Sequence, residues 1–378
     1  MNKKIRILFS TGVFPPLIGG PAKIVERLTQ ELTNRDYTCT VLTFGAQDNV
    51  DRGYAITRIP FSIPQPLRFF ILLIKTFILS AKSDIIYATD TYSNGLSSAI
   101  AAKLLNKPLI LRFTGDSAWE HAFNSGSTNK DIVSFQKEQH TLSTKLRIAR
   151  RNFILKASKK IITDCKFLKN LLISIGISEN KITIINNAVE ISTVTADKSD
   201  TNNILTIGRL IPWKGIDTLI SIMPQVKKQI PNAKLCIAGT GPEEENLKNL
   251  AQIKGLSDSV TFLGGLSDKK EKNKLYSSYN VFVLNTFYEG MSNTLLEAMA
   301  SALPIVTTRS GGSTEFVNQD NGILVEYNNH YQLTRAIITL LSNKDRADNL
   351  GQNAQKSVSQ FTWENLVNKN IAVIESLI

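Results

Sequence analysis

Short apolar runs of strand length recur along almost the whole chain, separated for the most part by segments of helical periodicity, and they come in two sets. The first set is Ile5–Phe9, Cys39–Leu42, Ile85–Ala88, Pro108–Arg112, Lys160–Thr163 and Ile182–Ile185. The second is Ile204–Ile207, Ala233–Ala238, Ser259–Phe262, Val281–Leu284, Pro304–Val306 and Ile323–Val325. Such alternation specifies a parallel sheet covered by helices. Two sets specify two sheets, and 378 residues are enough for two separate cores. The stretch Glu190–Asn203 is polar and lacks helical periodicity, so it marks the boundary. The expected architecture is α/β, with Rossmann-like domains over 1–190 and 191–361 and an amphipathic last segment, Thr362–Ile378.

Cysteine and charge narrow the classes of function. Cys39, Cys165 and Cys236 are scattered singly, which argues against a disulfide framework or a metal cluster. The three histidines make a histidine-based metal site a poor fit. The opening MNKKIRILFSTG starts basic, but its apolar run is too short for a signal peptide. A reducing, cytoplasmic location is the expectation. Net charge is +12. Residues 1–195 hold 26 Lys/Arg and 14 Asp/Glu, whereas residues 196–378 hold 18 of each, so the whole excess lies in the first half. A basic half suits nucleic acid, an anionic membrane surface or an anionic acceptor.

The stretch Phe287–Ala300, FYEGMSNTLLEAMA, carries the densest chemistry. A short polar loop, Gly290–Thr294, joins a strand to a helix that Asn293 is placed to cap. The first N–H groups of a helix lack internal partners and carry partial positive charge, so they bind phosphate or sugar oxygens. Glu289 and Glu297 flank them as acceptors for vicinal hydroxyls. GRLIPWKG, Gly208–Gly215, follows another strand and sets Arg209 and Lys214 beyond its C-terminal end. Ligands bind there in parallel α/β sheets, and two cations there match a diphosphate. After the first strand, Gly19 and Gly20 let the backbone approach a ligand ahead of a helix.

Taken together, these residues resemble the family-4 glycosyltransferases of the GT-B fold, whose signature is a Glu, seven residues, Glu with an upstream Arg/Lys pair. Here the glutamates are Glu289 and Glu297 and the cations Arg209 and Lys214. AGTGPE (Ala238–Glu243), FLGGL (Phe262–Leu266) and LPIVTTRSGGSTEFV (Leu303–Val317) look like the family as well. The resemblance implies two Rossmann-like domains with a cleft between them. The first would bind the acceptor, the second the nucleotide sugar, and the last helix would pack back on the first.

It further implies that the Gly19–Gly20 loop faces the donor phosphates and acceptor, and that Gly208 lies beside the donor with Arg209. Glu289 would hold sugar hydroxyls, Glu297 the ribose, and the amides of Gly290, Met291, Ser292, Asn293 and Thr294 the sugar and distal phosphate. Met291, Ser292 and Asn293 depart from the Gly-rich form common in the family, a difference expected to bear on sugar choice. Asn187 matches a position near the hinge from which its side chain would reach the cleft.

The reaction implied is transfer of a sugar from a nucleotide-diphosphate donor to an acceptor hydroxyl, with retention of configuration. No cofactor beyond that substrate is expected, and no metal, since the chain has no Asp-x-Asp pair. In LRFTGDSAWEH, Leu111–His121, many relatives have a histidine where this chain has Thr114-Gly115-Asp116. Two readings of Asp116 stay open. It orients the acceptor hydroxyl or takes its proton, or it caps the next turn.

Two further features bear on partners. Leu67–Leu79, LRFFILLIKTFIL, is too short to span a bilayer, for which about 20 apolar residues are needed. It reads either as a helix packed on the sheet or as one lying in the membrane interface. From Lys145 to Lys169 there are nine Lys/Arg and a single acid, Asp164, a balance suited to an anionic leaflet. Peripheral attachment to the inner membrane face, with a glycan or lipid-linked acceptor in polysaccharide or lipopolysaccharide assembly, is therefore expected. A glycoside hydrolase using Glu289 and Glu297 would leave Arg209 and Lys214 without a task. A nucleic-acid-binding protein would explain the charge, but the basic segments lack interleaved aromatics. A GT-B sugar-nucleotide epimerase remains the nearest rival and needs no acceptor.

Overall fold

The computed structural model describes residues 4–17, 19–48, 50–191, 202–266 and 268–378. It divides into two compact units, Met1–Asn187 with Glu364–Ile378, and Ala188–Trp363. Most of the expected boundary segment, residues 192–201, lies outside the described residues.

In the first unit the elements run β1 (Arg6–Ser10), α1 (Gly20–Asn34), β2 (Thr38–Phe44), β3 (Ala55–Ile59), α2 (Gln65–Ala81), β4 (Ile85–Ala88), α3 (Ser93–Leu104) and β5 (Leu109–Arg112). They continue with α4 (Ser117–Asn124), α5 (Ile132–Phe135), α6 (Leu142–Ala157), β6 (Lys160–Thr163), α7 (Lys166–Ser174) and β7 (Ile182–Ile184). All seven strands are parallel, in the order β3-β2-β1-β4-β5-β6-β7. β4 and β5 are buried at every residue, as strands with helices on both faces must be.

The sequence reading has no counterpart for β3. AITRI breaks the apolar run at its fourth residue, Arg58, and an edge strand tolerates that break. Arg58 is nevertheless buried, donating to Asp48 at 2.7 Å and to the Pro15 carbonyl at 2.6 Å.

In the second unit the order is β8 (Asn203–Ile207), α8 (Ile216–Gln229), β9 (Lys234–Ala238), α9 (Glu244–Ile253), β10 (Val260–Gly264), α10 (Lys269–Ser278) and β11 (Val281–Leu284). Then come α11 (Asn293–Ala300), β12 (Ile305–Thr308), α12 (Ser313–Phe316), β13 (Ile323–Val325), α13 (His330–Ser342) and α14 (Lys344–Val358). Its six strands are again parallel, ordered β10-β9-β8-β11-β12-β13. One face packs Ile204, Leu235, Ile237, Val281 and Val283 under α8 and α13. The other packs Leu205, Cys236, Phe282, Leu284 and Ile305 under α11.

The last helix, α15 (Trp363–Glu375), places residues from Glu364 onward in the first unit. There the buried Tyr87 hydroxyl donates to Asn370 Oδ1 at 2.9 Å, and the Tyr37 hydroxyl donates to Glu375 Oε1 at 2.8 Å.

Candidate functional site

In the second sheet the strand order reverses between β8 and β11, which lie side by side at its centre. Ligands in open α/β sheets bind beyond the strand C-termini at such a point. Arg209 and Lys214 follow β8, and Glu289 follows β11. The two segments are tied together: Phe287 N donates to the Trp213 carbonyl at 2.8 Å, and Thr286 Oγ1, 2.8 Å from the Tyr288 carbonyl, lies 3.3 Å from the same Trp213 oxygen. Trp213 is buried, and the Arg209 guanidinium lies over its ring at 5.6 Å. The indole thus gives that cation a fixed seat at the strand end.

Lys214 closes a 3₁₀ turn, Pro212–Lys214, and its Nζ pairs with the Glu289 carboxylate. Lys214 and Glu289 therefore hold each other beyond the ends of β8 and β11. Gly208 faces open space, since a Cβ there would meet nothing within 4 Å.

Glu289 is also fixed through its backbone. Its carbonyl accepts from Gly312 N at 2.8 Å. Gly311 sits at φ 56°, where a Cβ would fall 2.0 Å from that same oxygen. Only glycine permits this approach without displacing the Glu289 backbone.

The helix cap differs from the sequence reading. Ser292, not Asn293, is the N-cap of α11, its Oγ accepting from Leu295 N at 3.4 Å and lying 3.1 Å from Thr294 Oγ1. Asn293 is the first helical residue. Serine, asparagine and threonine are all cap formers, so composition alone did not decide among them. Met291 turns its side chain into the core beside Leu295 and Leu296. Met291 is thereby engaged in packing and Ser292 in capping. On the other side of α11, Glu297 pairs with Lys272 and accepts from the Tyr276 hydroxyl at 3.2 Å. Burial, and then the Glu297 charge, push the Tyr276 phenol well above its ordinary range, so it stays a donor.

The remaining expected residues lie in the first unit. Gly19 is the N-cap of α1 and Gly20 its first residue, and no side chain caps that helix. A Cβ on Gly19 would meet nothing nearer than 3.6 Å, so the chain's own packing does not demand glycine there.

Asp116 takes the capping role. It is fully buried, and Oδ1 accepts from Ala118 N at 3.0 Å. Its Oδ2 accepts from Gln136 Nε2 at 3.0 Å and pairs with the buried Arg151. Both oxygens are engaged inside the fold, so the reading of Asp116 as a proton acceptor is corrected to a structural one. Asn187 is likewise buried, its Oδ1 accepting from Arg112 Nη2 at 2.8 Å. That side-chain oxygen is committed within the first unit rather than offered to a donor.

The basic run is also corrected in part. Arg147, Arg150 and Arg151 share one face of α6, and Arg151 is turned into the unit's interior. Arg150 stacks over Tyr92 at 5.4 Å. Their spacing, i, i+3, i+4, was the sequence signal that they share a helix face.

Residues 189–357 match the model for glycosyl transferases group 1, and residues 18–193 match that for glycosyltransferase family 4. An uncharacterized glycosyltransferase of Haemophilus influenzae is 27% identical over 340 residues, covering 86% of this chain and 88% of the relative. A GDP-mannose-dependent α-(1-6)-phosphatidylinositol monomannoside mannosyltransferase of Mycobacterium tuberculosis is 31% identical over 175 residues, covering 44% of this chain and 45% of the relative. Among solved structures, Anabaena HepE in complex with UDP and glucose superposes with a TM-score of 0.80 at 20% identity, covering 99% of this chain and 100% of that one. The two matched regions follow the two sheets, and the chain belongs to the glycosyl transferases of group 1 and family 4: it is a glycosyltransferase of the GT-B fold.

Proposed function

We propose that this glycosyltransferase moves a sugar from a nucleoside-diphosphate donor to a hydroxyl of a glycan or lipid-linked acceptor, with retention, in the assembly of a cell-surface polysaccharide or lipopolysaccharide. The observation that carries this reading is the convergence of Arg209, Lys214 and Glu289 at the switch point of the second sheet. Arg209 and Lys214 balance the charge that grows on the departing diphosphate. Glu289 positions sugar hydroxyls, the start of α11 offers amides to sugar and phosphate, and Glu297 accepts from the ribose. The new bond joins the acceptor oxygen to the anomeric carbon as the bond to the diphosphate oxygen breaks on the same face. The acceptor proton passes to the leaving phosphate. The two cations supply the counter-charge, so the transfer needs no divalent metal.

The same proposal places the protein on the inner face of a membrane. Leu67, Phe70, Ile74, Phe77 and Ile78 of α2 are all exposed, at helical spacing, while Leu72, Thr76 and Ser80 on the opposite face are buried. A row of exposed apolar side chains on a helix bearing Arg68 and Lys75 suits the headgroup boundary. No helix among the described residues is long and apolar enough to cross a membrane. HepE was solved with UDP and glucose, and the mycobacterial relative is named for GDP-mannose and a phosphatidylinositol monomannoside. Both support a nucleotide-sugar donor, and the second supports a lipid-borne acceptor.

The test is incubation with UDP- and GDP-sugars and an extract of lipid-linked acceptors, with and without EDTA. The anomeric configuration of the product is read by NMR. Retention, undiminished by EDTA, is the expected result, whereas an inverted product overturns the mechanism. Flotation with anionic vesicles at low and high salt tests attachment, and absence of binding at low salt refutes it.

A further inference from the structure

We propose that Arg147 and Arg150 of α6, with His121 of α4, form a subsite in the first unit for a phosphate group carried by the acceptor. This rests on the reading of that unit as the acceptor side. The two arginines lie one turn apart on the same helix face. Arg150 Nε and Nη2 and Arg147 Nε are buried and, among the described residues, have no hydrogen-bond partner. A guanidinium carries five donors, and leaving them desolvated and unpaired is costly. Folding alone gives no reason to place two such groups together.

The position is that of a ligand site. Asp90 and Tyr92 follow β4, and His121 belongs to the helix that follows β5, so the group gathers beyond the C-terminal ends of adjacent strands. The Tyr92 ring, itself exposed, fixes the plane of the Arg150 guanidinium at 5.4 Å.

Asp90 attracts Arg150 through its charge, and Glu120 neighbours His121 on α4, but among the described residues no carboxylate is hydrogen-bonded to either arginine's Nε. Asp116 is taken by Arg151. Asp90 Oδ1 accepts from Tyr92 N at 2.8 Å and from Gly95 N at 3.1 Å. Burial, and then Arg147 and Arg150, hold His121 below the ordinary imidazole value. An oxyanion in their midst would relieve all three groups. Phosphate fits better than carboxylate, because its several oxygens can engage forks from two arginines together.

The experiment follows the His121 imidazole by NMR, one of only three histidines in the chain, in the full-length protein. The probes are glycerol 3-phosphate for a free phosphate, dioctanoyl phosphatidic acid for a lipid-borne one, glucuronate for a carboxylate, and glycerol as neutral control. A saturable shift with either phosphate, absent with glycerol, is expected. Whichever phosphate binds more tightly identifies the source. Arg150→Met weakens that response roughly tenfold or more, and Arg150→Lys less. Absence of a saturable response to both phosphates overturns the proposal, as does an equal response in Arg147→Met and Arg150→Met, or a response to glucuronate alone. Arg209→Ala with Lys214→Ala removes nucleoside-diphosphate binding while leaving the His121 response intact. Failure of wild-type protein to bind any nucleoside diphosphate would count against the transferase reading, not against this subsite.

Discussion

Replacing Asp116 with alanine tests whether that carboxylate holds the first unit together. The substitution removes two things at once. It deletes the N-cap of α4, which accepts from Ala118 N at 3.0 Å, a loss of about 1 kcal/mol. It also strands the Arg151 guanidinium, which is 2% exposed, without its counter-charge. Breaking a buried pair from one side costs about 3–5 kcal/mol. Arg151 keeps bonds to Gln136 Oε1 at 2.9 Å and to Asn152 Oδ1 at 3.1 Å, so the sum stays near the upper end of that range rather than above it. Against a total stability of about 5–15 kcal/mol, this is a large fraction.

Removing both charges in Asp116→Ala/Arg151→Met relieves the stranded cation and recovers much of the loss. The assay is urea unfolding followed by the fluorescence of Trp119. That residue is buried beside the cap and donates to the Lys130 carbonyl at 2.9 Å. Trp213 and Trp363 are replaced by Phe in the background, so the signal reports the first unit alone. A cost below about 1 kcal/mol, or a double substitution no more stable than the single, refutes the structural role. Lost transfer at unchanged stability would restore the proton-acceptor reading.

Three further outcomes follow from the same geometry. Glu289→Gln frees Lys214 from its partner, so a nucleoside diphosphate binds as tightly as before or more tightly while turnover falls by about tenfold or more; weakened diphosphate binding by calorimetry contradicts this. Gly311→Ala drives a Cβ into the Glu289 carbonyl at a positive φ, costing about 1–3 kcal/mol and most of the activity; a variant with wild-type melting temperature and rate rules out that clamp. His121 is held below its ordinary value of 6.5, so it contributes stability that is present above that pH and lost as pH falls through the folded-state value. His121→Gln should therefore flatten the decline of stability on the acid side of 6.5 in pH-dependent unfolding, and an unchanged slope argues against it.

The fold was legible because its strands are short, apolar and buried on both faces, so that each run, such as Ile85–Ala88, stands out against the helices around it. β3 escaped because Arg58 interrupts its pattern and pays for burial through Asp48 and Pro15, partners that lie elsewhere in sequence. That Arg209 and Lys214 follow one strand and Glu289 another was legible because those strands, β8 and β11, stand out as apolar runs. Asp116 was ambiguous because its decisive partner, Arg151, lies 35 residues away on another helix. The basic run from Lys145 to Lys169 shows the limit of counting charge: a sum does not reveal that Arg151 of α6 turns inward, and spacing adds only that Arg147, Arg150 and Arg151 share a face.

The central claim is that Arg209 and Lys214 seize the donor's diphosphate. Isothermal titration of the full-length chain with UDP, GDP and their parent nucleosides measures this directly. The account predicts that one nucleoside diphosphate binds, that its nucleoside binds far more weakly, and that Arg209→Ala and Lys214→Ala each weaken the diphosphate by roughly tenfold or more. Affinity for the diphosphate that survives both substitutions unchanged would contradict it.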